Sequence, residues 1–325
     1  MRVMRVTAFG GPEVLVAGEA PEPVAGPGQV VVEVGFVPVV FVETQLRQGR
    51  SPGPPLPTPP YVPGGGVAGT VVAVGEGVDP ERIGARVVTR VLGGGCAQRA
   101  LAPADALVPV PDGLGLDAAA ALLNDGATAL GLFAAARVRP GEWVLVEAAA
   151  GGVGSLLVQA ARAAGARVVG AARGGRKLEV VRGLGADAAV DYSDPDWAEQ
   201  VRAVTGGAGA DVVFDGVGGE IGRAAFGVTA RGGRFSVHGA AGGPPTEAAP
   251  GEAERRGVEF LGLEQLQGFD EETSRRWAGR ALAEAAAGRL RPVVGQVFPL
   301  ERAADAHAAM DDRDTVGRTL LSVSH

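Results

Sequence analysis

The segment from Glu142 to Lys177 restricts the possible folds of this chain more than any other segment. It begins with a short apolar run, WVLVE, which is typical of a strand buried on both faces, and the glycine-rich sequence AAAGGVG follows directly. A helical pattern covers residues 153–164, and residues 167–171 form a second apolar run. This order predicts a βαβ unit that binds a dinucleotide, because backbone N–H groups at the turn and the helix N-terminus can hold a pyrophosphate.

The end of this unit indicates which dinucleotide binds. An NAD-binding unit carries an acidic residue for the ribose after its second strand, and Ala172 occupies that position here. Arg173, Arg176 and Lys177 lie beside it and attract a 2′-phosphate, and we expect no acidic residue there to repel one. The segment therefore predicts an NADPH site. The motif G-x-G-x-x-G is incomplete here, because Ala149 occupies its first glycine position. The alternative interpretation is that the small residues of this turn only allow the helix and the strand to pack closely.

Composition narrows the class of protein. A length of 325 residues is more than one ordinary core needs and predicts two domains. A net charge of −7 argues against a nucleic-acid-binding protein, and a single cysteine, Cys96, excludes an internal disulfide and a cysteine-rich zinc site. The N-terminus lacks the long apolar stretch of a signal peptide, and no uninterrupted apolar run has the roughly 18 residues of a membrane span. We therefore expect a cytoplasmic protein without a membrane segment.

The order of patterns along the chain predicts an α/β architecture. Residues 1–110 look β-rich, and within them the proline-rich residues 51–66 predict a stiff loop rather than a polyproline ligand for a partner. A helix is predicted over residues 116–137. From there to Leu263, strands and helices alternate with six strands in all, which predicts a doubly wound parallel sheet. Residues 293–325 predict a strand, a helix and a last strand.

Segments along nearly the whole length resemble one known family: VETQLRQG, VPGGGVAGTVVAVGEGV, IGARVV, AAAGGVGSLLVQAARAAGA, GADVVFDGVGG, GGRFSVHGAAGG and VGRTLL. The chain is similar to the zinc-independent quinone oxidoreductases, the branch of the medium-chain dehydrogenase/reductase superfamily that includes zeta-crystallin. The resemblance implies a β-rich GroES-like catalytic domain built from residues 1–121 and 266–325, with an inserted doubly wound Rossmann domain at residues 122–265. It also implies a homodimer that pairs through residues 258–263.

The resemblance further implies which residues bind the cofactor. The glycine-rich turn falls at the pyrophosphate, the basic loop at the adenosine phosphate, and several strand ends over the cofactor. The residues at these positions are Thr128, Gly151, Gly152, Val153, Gly154, Arg173, Lys177, Tyr192, Val217, Gly218, His238, Gly239 and Arg318. Among them, Thr128 falls near the nicotinamide, Tyr192 on the adenosine side and Arg318 at a phosphate-contacting position.

The chain departs from the family on the substrate side. Val40 stands at the family's asparagine position, Glu43 at its aspartate and Gln45 at its tyrosine. Glycines at 64–66 replace the P-G-x-E glutamate, and residues 49–52 read Gly-Arg-Ser-Pro where related enoyl reductases carry a tyrosine acid in G-x-Y-P. The candidate catalytic residues are Gln45, Glu43 and Thr128. For Glu43 and Gln45, the alternative is a surface polar pair on the turn before the proline-rich loop.

The remaining candidate ligands and nucleophiles have modest expected roles. Cys96 is expected to be a small buried side chain, with a reactive thiol as the lesser alternative. His307 lies on the predicted helix ERAADAHAAM, where we expect a solvated or capping role. His238 ends a strand, where it either contacts the cofactor or makes a satisfied hydrogen bond. We expect no bound metal, because three histidines and one cysteine scattered over the chain do not form a zinc site.

These observations predict an NADPH-dependent reductase that passes a hydride to a quinone or another conjugated carbonyl without zinc. Because neither zinc nor a tyrosine acid is expected, the acceptor must be intrinsically electrophilic and its proton must come from water. Two alternatives stay open: a biosynthetic enoyl or tailoring reductase, and, from another class, an NADPH-binding protein with little or no turnover. The predicted partners are a small-molecule acceptor and a second copy of the chain, with no nucleic acid and no membrane.

Overall fold

The computed structural model describes residues 1–51, 55–91 and 93–324. Part of the predicted proline-rich loop, residues 52–54, lies outside the described residues, and Pro52 of the 49–52 segment lies there too. The C-terminal histidine, His325, is also outside them.

The described chain forms two compact units. Unit 1 comprises residues 1–127 and 278–325, and unit 2 comprises residues 128–277. The predicted limits of the inserted domain, 122 and 265, each lie several residues N-terminal to the limits of unit 2. The division into domains at 122–265 therefore stays a prediction.

The strands and helices are numbered in chain order. The strands are β1 (Arg2–Val6), β2 (Leu15–Glu19), β3 (Gln29–Val39), β4 (Gly66–Val74), β5 (Arg86–Arg90), β6 (Arg99–Pro103), β7 (Val108–Pro109), β8 (Trp143–Glu147), β9 (Arg167–Ala172), β10 (Ala188–Asp191), β11 (Ala210–Asp215), β12 (Thr229–Val237), β13 (Glu259–Leu261), β14 (Val294–Pro299) and β15 (Arg318–Ser322). The α-helices are α1 (Phe41–Arg47), α2 (Leu116–Ala136), α3 (Gly152–Ala163), α4 (Gly175–Gly183), α5 (Trp197–Val204), α6 (Gly219–Gly227), α7 (Glu252–Arg256), α8 (Glu271–Ala286) and α9 (Ala303–Asp311). Short 3-10 turns lie at Pro12–Val14, Pro80–Arg82, Ala104–Ala106, Leu263–Gly268 and Leu300–Arg302.

The sheet of unit 2 is parallel and has the strand order β10-β9-β8-β11-β12-β13. Its central strands are Val- and Ala-rich and fully buried, as expected of a parallel sheet covered on both faces. The predicted doubly wound sheet is confirmed. Because the order reverses between β8 and β11, the carboxyl ends of these two strands flank the kind of crevice in which α/β proteins bind ligands.

An aromatic cluster closes one side of this sheet. Phe226 meets Phe235 edge to face with ring centroids 5.3 Å apart, and Phe260 stacks on Phe235 at 5.4 Å. Phe260 belongs to the edge strand β13, and its partly buried side chain packs against the core of unit 2. The strand is shorter than the predicted 258–263 and presents few backbone groups at the sheet edge.

Unit 1 contains a seven-stranded sheet and a separate antiparallel pair, β1 with β2. In the larger sheet the order is β14-β15-β3-β4-β5-β7, with β6 also paired to β3. Strands β1 to β7 lie within residues 1–110, which were predicted to be β-rich, whereas helix α1 in the same region was not predicted. Helix α1 escapes prediction because its N-cap residue is Val40, a residue type that carries no capping signal.

Helix α2 is long and apolar enough to cross a membrane by length and composition alone. In the structure, 61% of its most apolar window is buried inside the protein, and Asp125 on it is 3% exposed. Both are features of a helix in a protein core.

Candidate cofactor and acceptor sites

The glycine-rich turn of unit 2 brings helix α3 very close to strand β8. A Cβ atom at Gly154 would lie 2.3 Å from the carbonyl oxygen of Ala148, so only glycine fits at this position. Ala148 itself has φ +51°, a left-handed conformation that glycine adopts more easily than alanine. Close packing alone, the alternative interpretation of the small residues, therefore accounts for Gly154.

The N-terminus of α3 also has the properties of an anion site. Its N-cap is Gly151, which has no side chain, and its first turn consists of Gly152, Val153, Gly154 and Ser155. The first bond within the helix is donated by the Ser155 N–H to the Gly151 carbonyl at 2.9 Å, so the N–H groups of Gly152, Val153 and Gly154 precede it and have no acceptor one turn back in the helix. The helix dipole adds positive potential there. A pyrophosphate can approach this turn without meeting a side chain at the half-buried Gly151 or Gly152, so the residues present fit a dinucleotide.

The basic loop after β9 differs from expectation in one respect. Ala172 is buried at the end of β9 and Arg173 beyond it is exposed, as a 2′-phosphate site requires. However, Asp191 at the end of β10 is the register partner of Ala172, and its carboxylate accepts the Gly174 N–H at 2.8 Å. The expectation that no acidic residue lies beside this position is wrong, because the neighbouring strand supplies one.

The carboxylate of Asp191 is occupied by the loop that it holds. It accepts the backbone N–H of Ser193 at 2.9 Å and the Ser193 hydroxyl at 2.5 Å, besides the Gly174 N–H. Burial acts to raise the pKa of Asp191, but these hydrogen bonds and the positive charge of Arg173 outweigh it and lower the pKa. The acid thus fixes the turn that carries Arg173 and leads into α4 with Arg176 and Lys177.

Asp215 at the end of β11 holds a second turn of unit 2. One carboxylate oxygen accepts the N–H groups of Val217 and Gly218, both at 2.8 Å, and the other accepts the Thr246 hydroxyl at 2.6 Å. Gly218 has φ +71°, which explains a glycine there. The turn that carries Val217 and Gly218, two predicted cofactor contacts, is therefore fixed by the fully buried carboxylate of Asp215. This role of Asp215 was not predicted from the sequence, although an acid that ends a strand before glycines, as in FDGVGG, indicates it.

His238 and Gly239 follow β12 at the neighbouring strand end. A Cβ at Gly239 would lie 2.6 Å from the Gly216 carbonyl oxygen, so the two strand ends pack backbone to backbone. The His238 N–H donates to the Asp215 carbonyl, but the ring Nδ1 is buried and makes no hydrogen bond to any described residue. The alternatives of a cofactor contact and a satisfied hydrogen bond for His238 both stay predictions. Burial lowers the pKa of His238 to about 4 against the opposing charge of Asp215, so the imidazole is neutral at pH 7.

Two other predicted cofactor residues of unit 2 are partly accessible. Tyr192 directly follows β10, where its N–H donates to the Ala172 carbonyl at 3.2 Å. Thr128 is half-buried inside helix α2. Their roles at the adenosine and at the nicotinamide stay predictions.

In unit 1, Glu43 joins helix α1 to the glycine run at 64–66. Its Oε2 accepts the Val40 N–H at 2.9 Å and its Oε1 accepts the Gly65 N–H at 2.8 Å. Burial raises the pKa of Glu43, while these hydrogen bonds act in the opposite direction. Glu43 is therefore not part of a surface pair on a turn; it lies on a helix with both oxygens engaged. Gln45, on the same helix, is half-buried and donates to the Thr44 hydroxyl at 3.3 Å.

Arg318 lies beside this corner and is 9% exposed. Its Nε donates to Asp125 Oδ2 at 2.7 Å and its Nη1 to the Val39 carbonyl at 2.7 Å, while Nη2 contacts Asp125 Oδ1. Burial lowers the pKa of Arg318 to about 10, opposed by the charge of Glu43. The predicted phosphate contact of Arg318 stays a prediction, and within unit 1 the guanidinium is bonded to Asp125. The sequence feature that could have predicted the Asp125–Arg318 pair is the acid Asp125 inside the apolar run ALLNDGATAL.

The remaining histidine and the cysteine are both buried in unit 1. His307 is 2% exposed, so the expectation of a solvated or capping side chain is wrong. Burial and the positive charge of Arg47 lower its pKa to about 4. Cys96 is 3% exposed, as predicted, and burial raises the pKa of its thiol well above the usual value. Across residues 1–51, 55–91 and 93–324, no group of three or more His, Cys, Asp and Glu side chains could hold a metal ion.

Comparison with known proteins identifies the family. Residues 26–112 match the alcohol dehydrogenase GroES-like domain, and residues 152–265 match the zinc-binding dehydrogenase family. The chain is 36% identical over 320 residues to a 2-haloacrylate reductase of a Burkholderia species, which covers 96% of each chain. It is 35% identical over 313 residues to the quinone oxidoreductase of Mus musculus, which covers 94% of this chain and 93% of that one.

The chain belongs to the zinc-independent quinone oxidoreductase branch of the medium-chain dehydrogenase/reductase superfamily. The solved structure of the Escherichia coli quinone oxidoreductase complexed with NADPH is 29% identical, with a TM-score of 0.90 over 99% of this chain and 100% of that one. The quinone oxidoreductase of Thermus thermophilus, solved also in complex with NADPH, is 34% identical, with a TM-score of 0.84 over 99% and 100%. The predicted combination of a GroES-like domain and a Rossmann sheet is thus confirmed.

Proposed function

We propose that this protein is an NADPH-dependent reductase of quinones or other conjugated carbonyl compounds. The observation that carries the proposal is the first turn of α3, where the half-buried Gly151, Gly152 and Val153 begin the helix with no capping side chain over its N-terminus. The exposed Arg173 after β9 favours the 2′-phosphate of NADPH over the bare ribose of NADH, and the neighbouring Asp191 carboxylate is engaged by Gly174 and Ser193. Relatives named quinone oxidoreductase and 2-haloacrylate reductase support acceptors with an activated double bond.

In this proposal different segments of unit 2 bind different groups of the cofactor. Gly151, Gly152, Val153 and Gly154 bind the pyrophosphate, and Arg173 and Lys177 bind the 2′-phosphate. The remaining proposed contacts are Thr128, Tyr192, Val217, Gly218, His238 and Gly239. Bound NADPH would supply the hydride that reduces the acceptor.

The polar residues proposed on the acceptor side have unequal roles. Both oxygens of Glu43 accept backbone N–H groups, so Glu43 positions α1 and the glycine run and does not donate a proton. Gln45 and Thr128 can each offer one neutral hydrogen bond to a carbonyl oxygen on which negative charge develops. Such a bond contributes roughly 0.5–1.5 kcal/mol, so the acceptor must be reactive in itself and takes its proton from water.

Titration of the cofactor tests the proposal most directly. NADPH should bind roughly 10-fold or more tightly than NADH, because charge-assisted hydrogen bonds contribute about 1.5–3 kcal/mol each. Arg173→Ala should remove most of this preference and leave NADH binding nearly unchanged. The matched control is Arg182→Ala, which removes an exposed charge from the last turn of α4 and should alter neither affinity. Equal affinities for NADPH and NADH in the unsubstituted protein would contradict the proposal.

Turnover assays separate an enzyme from a silent binder. A simple quinone, an enone and a 2-haloacrylate should each be reduced, whereas unactivated ketones should react poorly. Activity should also survive a metal chelator, since we propose a metal-independent reaction. Tight NADPH binding without turnover of any of these acceptors would favour the non-catalytic alternative.

A homodimer in the cytoplasm belongs to the same proposal. The edge strand β13 pairs with β12 on one side, and we propose that a second copy pairs on its other side, within the predicted pairing segment 258–263. Since Phe260 packs inward, Leu261→Lys is the cleaner test, with Val204→Lys on α5 as the matched surface control. Light scattering should show a dimer for the control and a shift towards monomer for Leu261→Lys. Cell fractionation tests the cytoplasmic location.

A further inference from the structure

Two acidic side chains end neighbouring strands at the ligand-binding edge of the unit 2 sheet. Glu147 is the last residue of β8 and Asp215 the last of β11, and the preceding residues, Val146 and Phe214, are register partners. Both acids are fully buried. They lie where the strand order reverses, directly before the glycine-rich turn and the 216–218 turn.

The two carboxyl groups are unequally supplied with donors. Asp215 accepts three hydrogen bonds, from Val217, Gly218 and Thr246. Glu147 receives no hydrogen bond at either oxygen from the described chain. An ionised carboxylate that is buried without donors and faces a second carboxylate is strongly disfavoured, so one proton must be retained. Burial, and then the charge of Asp215, raise the pKa of Glu147 well above its usual value.

The elements next to the ends of β8 and β11 supply neutral groups. Ala171 of β9 stands opposite Glu147 in the sheet. Ser155 of α3 is buried and donates its hydroxyl to the Gly152 carbonyl. His238, which follows β12, is neutral at pH 7 because burial lowers its pKa to about 4. Among the described residues, the charged group that acts on Glu147 is Asp215, and a protonated Glu147 can donate to it.

We infer that Glu147 is a positioning residue that works in its protonated form, donating a hydrogen bond to Asp215 and thereby fixing the 216–218 turn for dinucleotide binding. The inference rests on the proposed function for the identity of the ligand and deepens it. Loss of the Glu147 proton places two negative charges side by side in the sheet. Asp215 is then drawn away from Val217 and Gly218, and the turn loosens.

The sign of the pH dependence follows from proton retention. Folded protein keeps the Glu147 proton at pH values where the unfolded chain has released it, so the contribution of Glu147 to stability declines as pH rises above the unfolded pKa. In the same way, dinucleotide affinity declines above the pKa of the Glu147–Asp215 pair, by at most about 10-fold per pH unit for one linked proton.

Glu147→Gln is the decisive variant, because the amide is neutral, has nearly the same shape and can donate to Asp215 at every pH. Thermal unfolding of the cofactor-free protein between pH 5 and 9 should show that Glu147→Gln gains stability over the unsubstituted protein as pH rises. Fluorescence titration with NADPH and with NADH should give a Kd that rises with pH in the unsubstituted protein and stays flat in Glu147→Gln. Using both ligands excludes titration of the 2′-phosphate, which NADH lacks.

Two further variants control the interpretation. Glu147→Leu removes the donor altogether and should bind both dinucleotides more weakly at all pH values, with no pH slope. Glu142→Gln, just before the same strand, removes a carboxylate that pairs with Arg234 at 2.5 Å, and should lose stability without an alkaline gain. Parallel pH profiles for the unsubstituted protein and Glu147→Gln would overturn the inference. If neither dinucleotide binds at any pH, the proposed function fails, whereas the unfolding profiles of the cofactor-free protein still decide the role of Glu147.

Discussion

The glycine-rich turn of unit 2 and the corner of unit 1 formed by Glu43, Asp125 and Arg318 handle polar groups in opposite ways. In the turn, backbone conformation dominates, with a glycine N-cap, a glycine under the Ala148 carbonyl and a left-handed Ala148. In the corner, side chains far apart in sequence neutralise one another, and Arg318 and Asp125 are separated by 193 residues. A turn that is determined by its backbone conformation tolerates few residue types, but its stability depends little on any one side chain. A corner held by paired charges depends on each partner.

The largest effect is therefore expected in the corner. Asp125→Ala should leave the buried Arg318 guanidinium without its counter-ion and lower the free energy of unfolding by about 3–5 kcal/mol. Denaturant unfolding followed by fluorescence measures this. The matched control is Glu301→Ala, which removes the partner of the half-exposed Arg2 and should cost about 0–1 kcal/mol. Similar losses for the two variants would show that the buried pair is no more important than a surface one.

The two buried histidines extend the comparison to acidic pH. The pKa of His307 is lowered to about 4, so the folded state stays neutral where the unfolded chain takes up a proton. Stability should consequently fall by roughly 2–4 kcal/mol as pH drops from about 6.5 to 4, and His307→Leu should remove this part of the acid sensitivity. Unfolding curves at several pH values test this. His238→Leu in unit 2 should act in the same direction and by a similar amount, because burial lowers the pKa of His238 to about 4 as well.

The same contrast explains what could be predicted from sequence. The bounds of β8, α3 and β9 follow from local apolar runs and glycines and were predicted to within one residue. Helix α1 was not predicted, because its Val40 N-cap carries no capping signal. The Glu43 bond to Gly65 and the Arg318–Asp125 pair were not predicted, because they depend on contacts between segments distant in sequence. Asp191 shows the same limit inside unit 2: its carboxylate reaches the basic loop only because β10 pairs with β9.

Catalysis should respond weakly to the polar side chains proposed near the acceptor. Gln45→Ala should slow the reduction of a quinone or enone by about 2- to 13-fold, since one neutral hydrogen bond contributes roughly 0.5–1.5 kcal/mol. Thr128→Ala should behave alike. Steady-state kinetics at saturating NADPH measure both, with NADPH affinity as the control. A loss of more than about 1,000-fold in kcat with intact NADPH binding would mean that a dedicated general acid operates.

The smallest effect is expected in the turn and has the opposite sign. Ala148 has φ +51°, a conformation that costs a residue with a Cβ about 1–2 kcal/mol. Ala148→Gly removes this strain but adds chain entropy to the unfolded state, worth about 0.5–1 kcal/mol, so a net gain of up to roughly 1 kcal/mol is expected. The same replacement at the exposed Ala163, in the last turn of α3, should instead cost about 1 kcal/mol, because the backbone there is helical. Opposite signs in denaturant unfolding would show that the backbone conformation of the turn, and not alanine as such, determines stability there. Equal losses of unfolding free energy for the two variants would mean that Ala148 is unstrained. The turn would then not differ from the corner by depending on backbone conformation where the corner depends on paired side chains.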